Sequence, residues 1–424
     1  QTILLSDGEA FRAHPQAGLD PRQRPAAIAV PRSVDEVRAV IEHAGERGWR
    51  VAVHTTGRGV RQTGPLDETL LVRTDRLAGA ALDAPLGRVR VGGGARWAEV
   101  SAAAAPAGLA ALSIPTPGVG VAGTVLAGGV GWLGRRHGLA SESLLAAELV
   151  TADGALLRAD EERERDLWWA LRGGGGGLGV VTALELAVVD PGPLHAGVLS
   201  WPAARAAEVL HAWRAWTATV PREVTSLARL VGGGDPLPAV HVEAVLLAAP
   251  AAADALLAPL RELGPATDTF RAAGPEALDA LHFDVLGDRP VHYDHLLLDQ
   301  LPAEALDDFL DAAGPAAGVP LLDVELRHLG GALDERAKAC GALGALDAGY
   351  LLVVAAAPDR ASVAQEVVEA LSPWAAGHIF LSFAGDAAAG ADVFVSDALR
   401  RLRAVKALYD PADRFVSPLD GGPR

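Results

Sequence analysis

The chain contains no methionine and a single cysteine, Cys340, in 424 residues. A lone thiol rules out an intrachain disulfide and a cysteine-built metal centre. It also fits a reducing cytoplasm, the compartment we expect. Lysine is nearly missing too: Lys338 and Lys406 stand alone, and arginine carries the remaining positive charge. With abundant Ala and Gly, this composition points to a GC-rich bacterial genome. Positive charge as a whole is short, with 37 Lys and Arg against 53 Asp and Glu, a net charge of −16. So acidic a surface repels phosphate backbones and argues against nucleic acid as a partner. It gives no reason to expect binding to an anionic membrane either. Long apolar runs are absent: Leu351 to Ala357 falls far short of the ~20 residues that span a bilayer. The opening QTILLSDGEAF lacks a basic stretch followed by an apolar one, so no secretion signal is expected. Neither G-x-x-x-x-G-K-[ST] nor H-E-x-x-H occurs, which leaves P-loop and zincin chemistry without support.

Half the residues are hydrophobic and 21% are charged, the balance of a globular protein. The length suits two or three folding units. In the first half, Ser33 and Glu36 make an S-x-x-E capping pattern. Val34, Val37, Val40, Ile41 and Ala44 follow at helical spacing. Strands are expected at 49–53, 69–73, 88–91, 144–151, 155–158 and 180–189, with helices near 97–105 and 166–172. Between these lie three glycine-rich stretches: HTTGRG at 54–59, the long run 113–139, and GGGGGLG at 173–179. Glycine lets backbone N–H groups approach an anionic ligand where a Cβ would block contact. Three such loops beside strands favour that use over plain turns. Gly118 to Gly123 spells G-x-G-x-x-G, but Pro115 and Pro117 stand where a Rossmann strand should end, so the dinucleotide fingerprint is not met.

The order of these segments carries a resemblance. HTTGRG is followed by GVGVAGTVLAGGVGWLGRRHGLASESLLAAELVTADG, then DLWWALRGGGGGLGVVT, and finally YDPADRF at 409–415. This resembles the FAD-linked oxidases of the vanillyl-alcohol-oxidase type, in their berberine-bridge-enzyme-like branch, over nearly the whole chain. The resemblance implies an α+β, two-domain, PCMH-type fold. Its FAD-binding domain would take residues 1–190 and a C-terminal segment, 391–424, that returns to it; an inserted antiparallel-sheet substrate domain would take residues 191–390. Carried over by position, the first phosphate loop is Thr55, Thr56, Gly57, Arg58 and Gly59. The second runs through Thr116, Gly118, Val119, Gly120, Gly123 and Thr124 to Gly128, Gly129 and Gly131. Gly138 and Glu142 match a segment that usually carries Asp at the second position, and Val150 and Val181 fall where the family contacts the adenine end. Many members bond a histidine of the first loop to the flavin, and many use a cysteine from the second. Here Arg58 and Thr116 occupy those places. A guanidinium stays protonated and cannot make that bond, so a non-covalent, dissociable FAD is expected. Ser417 and Pro418 stand where relatives place asparagines near the ring.

Strands in the second half are expected at 225–231, 241–247, 291–298, 321–328, 350–355 and 378–383. The Ala-rich stretches 202–217 and 302–313 read as helices. Such a sheet has one covered face, and the other would roof the flavin. Period-two alternation puts Asp323, Glu325 and Arg327 on one face and Leu322, Val324 and Leu326 on the other; it pairs His241 with Glu243, and Tyr293 with His295. His292 and His295 face opposite ways on a strand, so they make a poor metal pair, and no metal is expected. Tyr293, Glu325 and His241 are rival bases, and a phenol would need its pKa of about 10 lowered. The resemblance implies an oxidoreductase acting on a small organic substrate, with bacterial specialised metabolism as its expected setting. A base removes a proton, a hydride passes to flavin N5, and dioxygen is a candidate acceptor. The alternatives are a redox-neutral cyclase or isomerase on the same scaffold, or a non-catalytic metabolite-binding protein. A monomer and a homodimer fit the sequence equally.

Overall fold

In a computed structural model of the chain, the described residues are 3–5, 23–57, 66–232, 239–282, 291–335, 341–384 and 390–417. Arg58, Gly59, Cys340 and Pro418 lie outside them. The first sheet holds β1 (Ile3–Leu5), β2 (Ala27–Ala29), β3 (Arg50–His54) and β4 (Thr69–Arg73) in the order β1-β2-β4-β3. Its β2–β4 and β3–β4 pairs are parallel. The helix Val34–Arg47 crosses from β2 to β3. It starts where the capping pattern predicts, with Glu36 N donating to Ser33 Oγ at 3.2 Å. The Glu36 carboxylate reaches back one residue further than the pattern implies, accepting from Arg32 N at 2.9 Å. Val37, Val40, Ile41 and Ala44 are buried on its inner stripe.

The second sheet comprises β5 (Ala80–Asp83), β6 (Arg88–Gly92), β7 (Ala110–Ala111), β8 (Leu144–Val150), β9 (Leu156–Asp160) and β10 (Val180–Val189), all antiparallel. Its core gathers Val89, Val91, Leu149 and Leu184 against Trp97 and Val100 of the helix Trp97–Ala104.

The third sheet follows in sequence: β11 (Leu194–Pro202), β12 (Val224–Val231), β13 (Ala239–Leu246), β14 (Thr267–Asp268), β15 (Arg271–Ala273), β16 (His292–Leu298), β17 (Leu321–His328) and β18 (Tyr350–Ala356). The order is β14-β11-β13-β12-β17-β18-β16, with every pair antiparallel. One face packs Val242, Ala244, Val324, Leu326, Leu352 and Val354 against helices at Ala206–Thr217, Pro250–Arg261 and Ala303–Ala313. The alternation expected for residues 322–327 is met from Asp323 onward, since Val324 and Leu326 sit in this core and Asp323 and Glu325 on the far face; at Leu322 a register shift breaks it, and Leu321 takes the core position instead. The strand expected at 378–383 is not formed. That stretch ends in a 3-10 turn at Leu381–Phe383, and its Phe380 N–H donates to His295 Nε2 at 3.2 Å instead of to a neighbouring strand.

The final helix, Ser396–Tyr409, leads the chain back to the first sheet. Val51 N donates to Arg414 O at 2.7 Å, and Val416 N donates to Val51 O at 2.9 Å. Asp410 fixes this return. It is 2% exposed and accepts from Arg414 N and Phe415 N, both at 2.8 Å, and from Lys406 Nζ at 2.5 Å. This is the physical content of the YDPADRF motif. Asp410→Ala would leave two amides and an ammonium without their shared acceptor. It should cost about 3–5 kcal/mol, read as a clear drop in melting temperature. Asp397→Ala, which removes an ion pair whose carboxylate is 86% exposed, should change stability by less than about 0.5 kcal/mol.

Candidate active site

The three glycine-rich stretches and the polar face of the third sheet enclose a cavity of about 1100 Å³. That slightly exceeds the ~1,000 Å³ upper range of ordinary ligand pockets, which leaves room for a dinucleotide and a substrate together. Its loop side is built from residues that follow strand ends. Thr55, Thr56 and Gly57 leave β3, and Gly57 takes a φ of +80° that favours glycine. Thr116 to Gly120 precede the short helix Val121–Leu126, whose Gly123 and Thr124 also line the wall. Gly175, Gly176, Gly177 and Gly179 contribute from the third stretch. The first two loops are tied together where Gly120 N donates to Thr56 Oγ1 at 3.3 Å. Gly120 must lack a side chain, because a Cβ there would lie 2.9 Å from the Thr55 side chain.

A different constraint acts at Gly118, Gly123 and Gly176. A Cβ at any of them would meet no protein atom within 4 Å. All three line the cavity, so a side chain there would project into the space a ligand must use. This is the cradle a diphosphate-bearing cofactor needs: bare backbone facing open volume. Two guanidiniums, Arg73 and Arg96, line the same side and suit an anion. Arg73 also donates to Thr55 O at 3.1 Å. His54 lies beside it; burial first, then the Arg73 charge, push its pKa down to about 4, so it is a neutral imidazole.

Of the proposed cofactor residues, Thr55, Thr56, Gly57, Thr116, Gly118, Val119, Gly120, Gly123, Thr124 and Val181 line the cavity. Gly128, Gly129, Gly131, Gly138, Glu142 and Val150 are not part of its wall and have local tasks. A Cβ on Gly131 would collide with Ser113 O at 1.7 Å. Gly129 N donates to Ser382 Oγ at 2.9 Å, and Glu142 accepts from Leu139 N at 2.9 Å. Val150 is buried under the helix Val34–Arg47. Among the proposed bases, Tyr293 and Glu325 face the cavity. His241 does not: its Nδ1 lies 2.7 Å from Ser200 Oγ, toward the β11 side of the sheet.

The roof carries a charge chain that the sequence pattern reveals only in part. Arg229 on β12 grips Asp323 with two hydrogen bonds, 2.7 and 2.9 Å, and reaches Glu243 at 3.2 Å. Glu243 accepts from His282 Nδ1 at 2.8 Å; His282 Nε2 lies 3.3 Å from Glu325, and Arg327 donates to Glu325 at 2.7 Å. Arg327 also sits over the Phe383 ring at 5.5 Å. Burial opposes ionisation of Glu325, but Arg327 and His282 outweigh it and hold its carboxyl well below the usual range. Burial also acts to lower His282, and the two glutamates overcome it, raising the imidazole to about 9. His282, Asp323 and Glu325 place donor atoms within 4.8 Å of one another. Each carboxylate there is already paired with a guanidinium, so a divalent cation would compete with two resident cations. Arg229 and His282 are the roof residues that sequence reasoning missed. A lone charge inside the apolar strand SLARLV was a usable signal for Arg229. His282 follows the four-residue helix Ala277–Ala280 outside any periodic pattern, and nothing marked it.

A family described as "FAD binding domain" matches residues 25–160. (R)-6-hydroxynicotine oxidase of Paenarthrobacter nicotinovorans is 33% identical over 180 residues, 42% of this chain and 39% of that protein. Glucooligosaccharide oxidase of Sarocladium strictum is 32% identical over 208 residues, 47% of this chain and 42% of that protein. The chain thus spans about two fifths of the length of the curated relatives it matches. Solved structures extend the likeness to the whole chain. Wild-type BBE-like 1 of Physcomitrella patens superposes with a TM-score of 0.82 at 18% identity, covering 98% of this chain and 96% of that one; this is a likeness of fold. For 6-hydroxy-D-nicotine oxidase from Arthrobacter nicotinovorans the TM-score is 0.80 at 27% identity, over 97% and 96% of the two chains. Residues 25–160 therefore match an FAD binding domain, and the chain has the α+β, PCMH-type fold of the berberine-bridge-enzyme-like structures.

Proposed function

We propose that this chain is an FAD-dependent oxidoreductase acting on a small organic substrate, in bacterial specialised metabolism and in the cytoplasm. The observation that carries the reading is the cavity in which bare glycine backbone, at Gly118, Gly123 and Gly176, faces an ionised carboxylate on the sheet above. The division at residues 190 and 390 belongs to the same reading. Glycine loops and Arg73 would hold the diphosphate of FAD, and Val181 would border its adenine end. When bound, FAD supplies the acceptor for a hydride at N5. The chain supplies the rest. Glu325 is the base: it stands in the wall already ionised and takes the proton from a substrate O–H or N–H as the adjacent C–H bond is oxidised, giving a carbonyl or imine. Tyr293, on the same wall, would orient the substrate. Val130, Val353 and Phe383 line the cavity and keep water from the reacting carbon. Dioxygen would serve as the final acceptor.

With Arg58 and Thr116 in place of attachment residues, we propose a non-covalent flavin. The purified protein should be yellow, and acid precipitation should release all of its FAD into the supernatant. A yellow pellet would show a covalent bond, and a colourless protein that takes up no added FAD would remove the flavoprotein reading. Anaerobic bleaching by a panel of primary alcohols, sugars and secondary amines would find the substrate. Ligand binding without bleaching would favour the redox-neutral alternative.

A further inference from the structure

We infer that Glu243 and His282 act as a positioning pair for Glu325: Glu243 holds the imidazole, and the imidazole holds the carboxylate that faces the cavity. The pair's part in catalysis rests on the reading of Glu325 as the base, whereas the chain of contacts stands on geometry alone. Glu243 is 0% exposed in the middle of β13, flanked by Val242 and Ala244. A charge buried that completely persists only when fully paired. Its two oxygens are committed separately, one to Arg229 NH1 at 3.2 Å and the other to His282 Nδ1 at 2.8 Å. The far nitrogen of the same ring, Nε2, lies 3.3 Å from Glu325 Oε1. A ring that meets an acceptor at each nitrogen must carry a proton on both. The imidazolium is thus locked in rotation from behind and donates forward to Glu325, while Arg327 fixes the other carboxylate oxygen at 2.7 Å.

The charged and titratable groups sharing this wall are Arg229 from β12, Tyr293 from β16, Asp323, Glu325 and Arg327 from β17, and Asp279 from the helix Ala277–Ala280, with Glu243 of β13 buried behind it. His282 titrates against that set, and its raised pKa of about 9 agrees with two carboxylate partners outweighing burial. Below that pH Glu325 is held ionised and aimed into the cavity. Above it the ring can keep only one N–H, and one of the two carboxylates is released.

The test is a pH titration of the full-length protein, reconstituted with FAD and labelled with 13C-histidine. The chain has 12 histidines, and the His282 signal is identified by its loss in His282→Gln. The expected wild-type midpoint is near 9, falling by more than about one pH unit in Glu243→Gln, and likewise in Glu325→Gln. With a substrate that bleaches the flavin, the alkaline limb of the reduction rate should move down with it in Glu243→Gln, while FAD stays bound. A wild-type midpoint at the ordinary value of about 6.5, or one unmoved by Glu243→Gln, overturns the proposal. Should Glu243→Gln not fold, Glu325→Gln reads the same coupling from the other end and decides it. A protein that takes up no FAD but shows the shifted midpoint keeps the pair and loses the flavoprotein reading. FAD uptake with an ordinary midpoint does the reverse.

Discussion

Glu325→Gln should slow substrate-driven flavin bleaching by about 100- to 10,000-fold, the range a positioned general base contributes, while FAD remains bound. The amide keeps the size of the carboxylate and can still meet Arg327, so the fold should persist. What is lost is the proton acceptor on the wall. The pH dependence gives an independent check. The carboxyl is held well below the usual range, so the acid limb of the wild-type reduction rate should lie below the ordinary glutamate pKa of about 4.3. A Tyr293 base would instead make the rate rise with pH through the alkaline range, where the Glu325 reading has it fall. If Glu325→Gln bleaches at the wild-type rate while Tyr293→Phe does not, the base has been assigned to the wrong residue.

Gly123→Leu should fold and fail to hold FAD. The position opens onto the cavity with no protein atom within 4 Å of a Cβ, so a side chain there starts into open volume that a ligand must use. Affinity for FAD should fall at least about 100-fold, or ~2.7 kcal/mol, with the melting temperature of the apoprotein nearly unchanged. Gly94→Leu is the contrasting control. A Cβ there would lie 1.8 Å from Thr74 O, so this variant should lose the fold itself. Equal FAD affinity in Gly123→Leu and wild type would mean that the cradle lies elsewhere. Fluorescence titration of apoprotein with FAD reads both outcomes.

How much of this was legible beforehand depends on periodicity. Strands β13, β16 and β17 alternate clearly enough that their polar residues could be assigned to faces, and Glu325, Asp323 and Tyr293 line the cavity from that pattern, whereas β18 is apolar almost throughout and β12 hid Arg229. β11 escaped notice because Gly197 and Pro202 interrupt an otherwise strand-like run; a Cβ at Gly197 would run into the Phe270 backbone at 2.4 Å. Residues 378–383 looked like a strand by composition alone, but Phe380 and Leu381 are buried one by one in a loop. The glycine loops showed their number and order, not their division of labour. That Gly123 faces open volume while Gly131 abuts the Ser113 carbonyl is a fact of three dimensions, invisible in a run of identical letters. His282 marks the limit of one-dimensional reading, since its carboxylate partners, Glu243 and Glu325, lie on strands far from it in sequence.

The backbone bonds between Val51 and residues 414–416 have a consequence for biogenesis. β3, which delivers Thr55 and Thr56 to the cavity, lacks its outer neighbour until the entire third sheet has been synthesised. A nascent chain stopped after β10 would own all three glycine stretches and still present the first of them, which leaves β3, on an unfinished edge. Flavin capture should therefore be a late event, following synthesis of the third sheet and the final helix, and a fragment lacking residues 410–417 should bind the nucleotide poorly even with every loop intact.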